Sequence, residues 1–205
     1  MKRAYEIGKR YIFHTYVKND AERPALRESQ KAYPVSTLII SFFIFSFVGW
    51  GWEVIIHLYL DHMFVNRGTM IGPWLPVYGC GGVLIIVLLR KWADRPGKLF
   101  SMILLLCGTI EYGTGLFLET VYHARWWDYS DSLINLQGRV CLEGLLLFGC
   151  GGLFIVYVAE PAIHRWVQRL SGNVRALLCI SLLTIFAADF LYSMGNPNAG
   201  FGITM

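Results

Sequence analysis

Charge is what this chain lacks. Asp, Glu, Lys and Arg make up 16% of its 205 residues and hydrophobic residues 55%, whereas soluble domains carry about a quarter charged. A water-facing globule is excluded. The chain also lacks a Gly-xxxx-Gly-Lys-Ser/Thr phosphate loop, so any ATP hydrolysis needs a separate subunit. The five cysteines, Cys80, Cys107, Cys141, Cys150 and Cys179, show no CxxC spacing and fall in or beside apolar runs. They read as small residues for close packing, not as a disulfide framework. No Ser or Cys nucleophile has a base at recognisable spacing, which leaves enzymatic activity undecided. No basic patch with interleaved aromatics lies in a soluble domain, so nucleic acid is not an expected partner. Residues 1–35 contain no short apolar core followed by a small-residue cleavage site, so no removable signal peptide is expected and the first span serves as anchor.

What the chain has is apolar runs long enough to cross about 30 Å of hydrocarbon. They lie near 36–60, 75–89, 99–122, 140–158 and 176–192. The expectation is an all-α polytopic membrane protein of about five transmembrane helices: two tandem helical hairpins (36–90 and 99–160, together the membrane domain 36–160) plus one. A basic leader (1–35) alternates Tyr and Ile with Lys and Arg and suits an interfacial helix. A cytoplasmic loop (161–175), a last transmembrane helix (176–193) and a short outer tail (194–205) complete the plan. Pro73, Pro76, Gly79, Gly81 and Gly82 crowd the start of the second run, so residues 67–77 are a candidate re-entrant segment. Fifteen Lys and Arg fall on one side of this plan, and only Arg67, Arg125 and Arg139 on the other. The positive-inside rule then predicts a multi-pass membrane protein, N-terminus cytoplasmic and C-terminus outside.

An internal repeat is visible. Glu53-Val-Ile-Ile-His57 recurs as Glu119-Thr-Val-Tyr-His123, and Tyr78-Gly-Cys-Gly-Gly82 as Phe148-Gly-Cys-Gly-Gly152. These landmarks align Gly49 with Gly115, Glu53 with Glu119 and His57 with His123, and imply that the intervening loop has grown by four residues.

Eight of the acids, Glu53, Asp61, Glu111, Glu119, Asp128, Asp131, Glu143 and Asp189, fall in spans or on the predicted outer side. A charge at mid-bilayer costs at least about 2.5 kcal/mol, so these groups are expected to converge on each other, on arginine or on water in an outward-facing polar site. Its candidate substrate, proton or cation groups are Glu53, Glu111, Glu119, Arg67, Arg139, Glu143, Asp128 and Trp127. Arg139 and Glu143, four apart, are expected to pair with each other. Glu53, His57, Glu119 and His123 are a candidate divalent-metal set. Trp126, Trp127 and Tyr129 suit either this site or an aromatic belt.

The blocks Trp52-Glu53, Asn66-Arg-Gly68, Gly72-Pro73, Pro76-Val-Tyr-Gly79, Glu111-Tyr112, Arg125-Trp-Trp-Asp-Tyr-Ser130 and Asn135-Leu-Gln-Gly-Arg139 with Cys141-Leu142 resemble the signatures of the bacterial ABC-transporter type IV membrane family. The resemblance covers roughly residues 38–160, leaves the leader and the last span outside, and departs at Thr114-Gly115, where Thr-Ser is expected. It implies an integral membrane protein of Gram-positive-type bacteria linked to transport. The expectation is solute translocation, or the membrane subunit of a transporter, with membrane lipid, a separate ATPase subunit or a second copy as partner. The alternatives are a membrane-embedded enzyme on a lipid-linked or peptide substrate at the outer leaflet, and a non-catalytic assembly or sensor protein.

Overall fold

Long apolar runs satisfy their backbone internally as helices, the only open-ended element that hydrocarbon tolerates. The computed structural model describes residues 33–199. The interfacial helix expected in the leader falls outside these residues. The elements are α1 (Val35–Leu60), α2 (Pro76–Leu84), α3 (Pro96–Tyr122), a two-residue ribbon of β1 (Asn135–Leu136) and β2 (Val140–Cys141), α4 (Leu142–Phe154), α5 (Glu160–Arg169) and α6 (Gly172–Gly195). π-helical turns Ile85–Leu89 and Ile155–Ala159 extend α2 and α4, and a 3-10 turn, Arg90–Trp92, ends the first of these extensions. Pro76, Pro96 and Pro161 each open a helix, where the missing N–H is not needed.

Among the described residues, four helical stretches are long and apolar enough to cross a membrane: Val35–Leu60, Pro96–Tyr122, Leu142–Arg169 and Gly172–Gly195. The chain is a multi-pass, all-α membrane protein. The loop expected over 161–175 is mostly helical, because Pro161 sits in a first turn and does not interrupt α5; only Leu170 and Ser171 separate α5 from α6. The other expected span, 75–89, is a shorter helix reached by an irregular descent. The Leu75 N–H donates to the Ser46 carbonyl at 3.0 Å, about 20 Å down α1 from its end at Leu60. The chain thus drops beside α1 and then continues as helix to the other end instead of turning back. Below, "loop end" denotes the end bearing residues 61–75 and 123–141, and "basic end" the end bearing Arg90–Arg95 and the α5–α6 turn.

α1 with α2, and α3 with α4, pack as antiparallel pairs that repeat each other. Gly79 lies against Phe42 and Ser46, and Gly149 against Phe100 and Leu104; Gly82 lies against Phe45, and Gly152 against Ile103. The second helices therefore correspond at an offset of 70 residues (79 to 149, 82 to 152). The first helices correspond at 58 (42 to 100, 45 to 103, 46 to 104). The alignment of Glu53 with Glu119 does not hold. Packing pairs Glu53 with Glu111, and the loop has grown by twelve residues, not four. An apolar helix carries little pattern to pin its register, so a slip of eight residues, just over two turns, goes unpenalised in the sequence.

Equivalent residues also meet each other. The rings of Tyr78 and Phe148 are 5.9 Å apart in an edge contact. The two equivalent π turns also touch, Ile85 and Leu89 of the first sharing a core cluster with Val156 of the second. Arg90 faces Glu160 at 3.9 Å. Residues meeting their own counterparts mark a twofold axis. Because these contacts are strung from the loop end to the basic end, the axis runs along the helices.

The glycine contacts give a direct test. Ala at Gly79 or Gly149 should lower stability by about 1–3 kcal/mol, because its methyl group meets the facing helix. Ala at Gly81 or Gly151, which have open space, should be near neutral. Thermal unfolding of the purified variants in detergent measures the difference.

Candidate functional site

Irregular backbone at membrane depth has to be satisfied by protein, and the site is built from the groups that do so. In the first loop, Ile71 N–H and Gly72 N–H donate to Asp189 of α6 at 3.2 and 2.8 Å, and Trp74 Nε1 donates to the same carboxylate at 2.7 Å. Ser193 Oγ adds a fourth bond at 3.0 Å. Asn66 spans the loop, accepting from Trp50 Nε1 at 2.7 Å and donating to the Ile71 carbonyl at 2.8 Å. Asn198, beyond α6, staples the two loops together. It donates to the carbonyls of Asn66, Gly68 and Thr69, and its own carbonyl accepts from Trp126 Nε1 at 3.2 Å.

The second loop is held by a cap and a ribbon. Asp128 accepts from Ser130 N–H and Oγ at 2.9 and 2.5 Å, and these bonds hold its carboxyl below the usual carboxylate range, with Arg125 assisting. The group is exposed. Its contribution is present at neutral pH and is lost as pH falls through the lowered value. The ribbon turns through Gln137 and Gly138, both at positive φ (54° and 69°). Glycine is required at 138 because a Cβ would run into Asp128 and Ser130.

Between the loops lie two layers of charge. The upper one is centred on Glu119, which accepts from Arg125 Nη2 at 3.1 Å and from Arg139 Nη2 at 2.6 Å. Arg139 also donates to Gln137 at 2.8 Å and lies 5.5 Å from the Tyr112 ring. Trp127 Nε1 donates to the Arg139 carbonyl at 2.9 Å. Arg139 therefore pairs with Glu119 across the loop and not with Glu143, which is exposed on the first turn of α4. Its side chain follows the turn at Gly138 back toward α3, a direction that spacing along α4 could not reveal.

The lower layer contains Glu53 and Glu111, the pair that helix packing makes equivalent. The Tyr78 hydroxyl donates to Glu53 Oε1 at 2.6 Å. Tyr78's own counterpart is Phe148, which has no hydroxyl, and on the Glu111 side Tyr129 of the loop faces the carboxyl instead. Glu111 is only 7% exposed, and its Oε2 has no hydrogen-bond partner. Glu53, Glu111, Tyr78 and Tyr129 lie within electrostatic reach of one another. Among the described residues, no ion pair joins Glu111 to Lys, Arg or His.

The remaining sequence candidates lie elsewhere. Arg67 donates to the Trp126 carbonyl at 2.6 Å, joining the loops. Trp126 is 3% exposed, so it is a core residue and not part of a headgroup belt. His57 bonds Asp61 at 2.5 Å, and His123 is the left-handed C-cap of α3. Glu53, His57, Glu119 and His123 each go separate ways, and among the described residues no three His, Cys, Asp or Glu gather as metal ligands. Tyr78 is not among the site residues expected from sequence, and Tyr129 is expected there only as an aromatic suiting either the site or a belt. Their signal was their place in the Pro76-Val-Tyr-Gly79 and Arg125–Ser130 blocks.

A family profile described as "Putative ABC-transporter type IV" matches residues 40–194. The chain belongs to this family. The match takes in the last span, which lies outside the motif resemblance and whose Asp189 is the acceptor that holds the first loop. No curated protein and no solved structure matches the chain.

If Asp189 holds the loop, Asp189→Ala should destabilise the protein by about 2 kcal/mol or more, since three donors besides Ser193 lose a charged acceptor. It should also expose Trp74 and Gly72. Unfolding in detergent, with hydrogen exchange over 69–75, measures both effects.

Proposed function

We propose that this chain is the membrane-spanning component of a transport system and works with a separate ATPase subunit or a second copy of itself. Its site is the carboxylate pair Glu53 and Glu111 at the head of the axis between the hairpins, open toward the loop end. The supporting observation is that these acids occupy equivalent places, are half-buried and buried respectively, and are faced by tyrosine hydroxyls instead of a cation. Two such carboxylates in low dielectric cannot both stay charged without a positive charge between them. The pair therefore takes up a proton or a cation, either as the transported species or as the one that drives transport. Arg125, Arg139 and Arg67 are committed to Glu119 and to the Trp126 carbonyl, and they shape the mouth instead of offering an anion site. The distribution of basic residues supports an outward-facing loop end.

Two measurements test this reading. Purified protein is reconstituted into vesicles with a trapped pH dye, and proton flux is followed after a pH jump. Glu53→Gln and Glu111→Gln should each cut the flux at least about tenfold, corresponding to a loss of about 1.4 kcal/mol, while Glu143→Gln leaves it unchanged. Equal flux in wild type, both variants and empty vesicles would contradict the assignment. For orientation, a cysteine at Ser132 in a background without native cysteines should react with impermeant maleimide from outside intact cells, and one at Gly97 should not.

A further inference from the structure

A second feature, independent of the carboxylate pair, lies on the outer flank of the bundle. α1 and α6 diverge around a groove of about 320 Å³. Ile40, Ile44 and Val48 line it on the α1 side, Leu178 and Leu182 on the α6 side, and the half-exposed indole of Trp166 from α5 stands at one end. The spacings of four along both helices make it a channel between two ridges of side chains. From Ile40 to Val48 it runs about 12 Å, close to the roughly 15 Å depth of one leaflet. Its floor is closed by the core cluster of Ile40, Val167 and Cys179, so a chain lying in it would meet packed side chains along its length.

The end of the groove marked by Trp166 carries charge of one sign. Arg165 and Arg169 lie on α5, within one turn of Trp166 and exposed, and Arg175 lies on the first turn of α6. Among the described residues, none of the three has a carboxylate partner; Arg175 donates only to Gln168, at 3.2 Å. An apolar channel of leaflet depth ending under three uncompensated arginines matches one molecule in shape and charge. We propose that this groove binds an anionic phospholipid of the leaflet at the basic end, with one acyl chain along α1 and α6 and its phosphate against Arg165, Arg169 and Arg175. Trp166 sits at the level of the glycerol backbone, the depth that indole rings prefer. The lipid would tie α6, and through Asp189 the first loop, to α1.

The test uses the full-length protein in detergent, mixed with equimolar phosphatidylglycerol and phosphatidylcholine and examined by native mass spectrometry. One phosphatidylglycerol should be retained in preference to phosphatidylcholine. Arg169→Gln with Arg175→Gln should remove most of that preference, about fivefold for each arginine, without changing the unfolding temperature in lipid-free detergent. Leu182→Trp, which fills the groove, should lower retention of both lipids. Should that variant fail to fold, Val48→Trp, on the opposite wall, provides the same block. Equal retention of the two lipids by the wild type, or a preference for phosphatidylglycerol that survives the double arginine change, would overturn the proposal. So would unaltered retention in a folded groove-filling variant.

Discussion

Hydrocarbon offers no hydrogen bonds, so every stretch of backbone that leaves helical geometry inside the membrane must find partners within the protein. Both interhelical loops at the loop end leave helical geometry and descend beside the helices that precede them. Asp189, Asn66 and Asn198 supply the bonds for the first, and the Asp128 cap and the short ribbon supply them for the second. The other polar features follow from that requirement. The arginines at the mouth are held by Glu119, Trp126 and Gln137, and Tyr129 is carried down to Glu111 because its loop goes down.

The second constraint is close approach of helices. Gly79, Gly82, Gly149 and Gly152 let α2 and α4 sit against α1 and α3 with no room for a side chain, the usual means by which helices associate in lipid. The same register brings Tyr78 to Phe148 and Arg90 to Glu160 along the axis. The two hairpins differ where the chemistry lies. A hydroxyl on α2 serves Glu53, whereas Phe148 offers none to Glu111, and the longer second loop provides Tyr129 in its place.

Much of this was legible in the sequence. The low charge and apolar runs gave the class, the glycine-rich block pointed to the repeat, and the Arg125–Ser130 and Asn66–Gly68 blocks led to the family. The number of residues between landmarks misled for a physical reason. Helices that are apolar nearly all round carry no face pattern to fix register, so Glu119 could stand in for Glu111 until packing showed which residues touch. The partner of Arg139 was likewise hidden, because a turn through two positive-φ residues reverses its direction. The importance of Asp189 could not be read at all, since the loop groups that donate to it lie 115 or more residues away.

The two hairpins meet about an axis that makes Glu53 and Glu111 counterparts. Cysteines placed at Gly108 and Leu145, in a background without the native five, probe it, because those positions touch only if α3 packs on α4 in the register that makes Glu111 the counterpart of Glu53. A disulfide or short thiol cross-link between them, formed within one chain in membranes, is the predicted result. If position 145 fails to cross-link to 108 but does so to 116, two turns further along α3, the pairing of Glu53 with Glu111 is wrong.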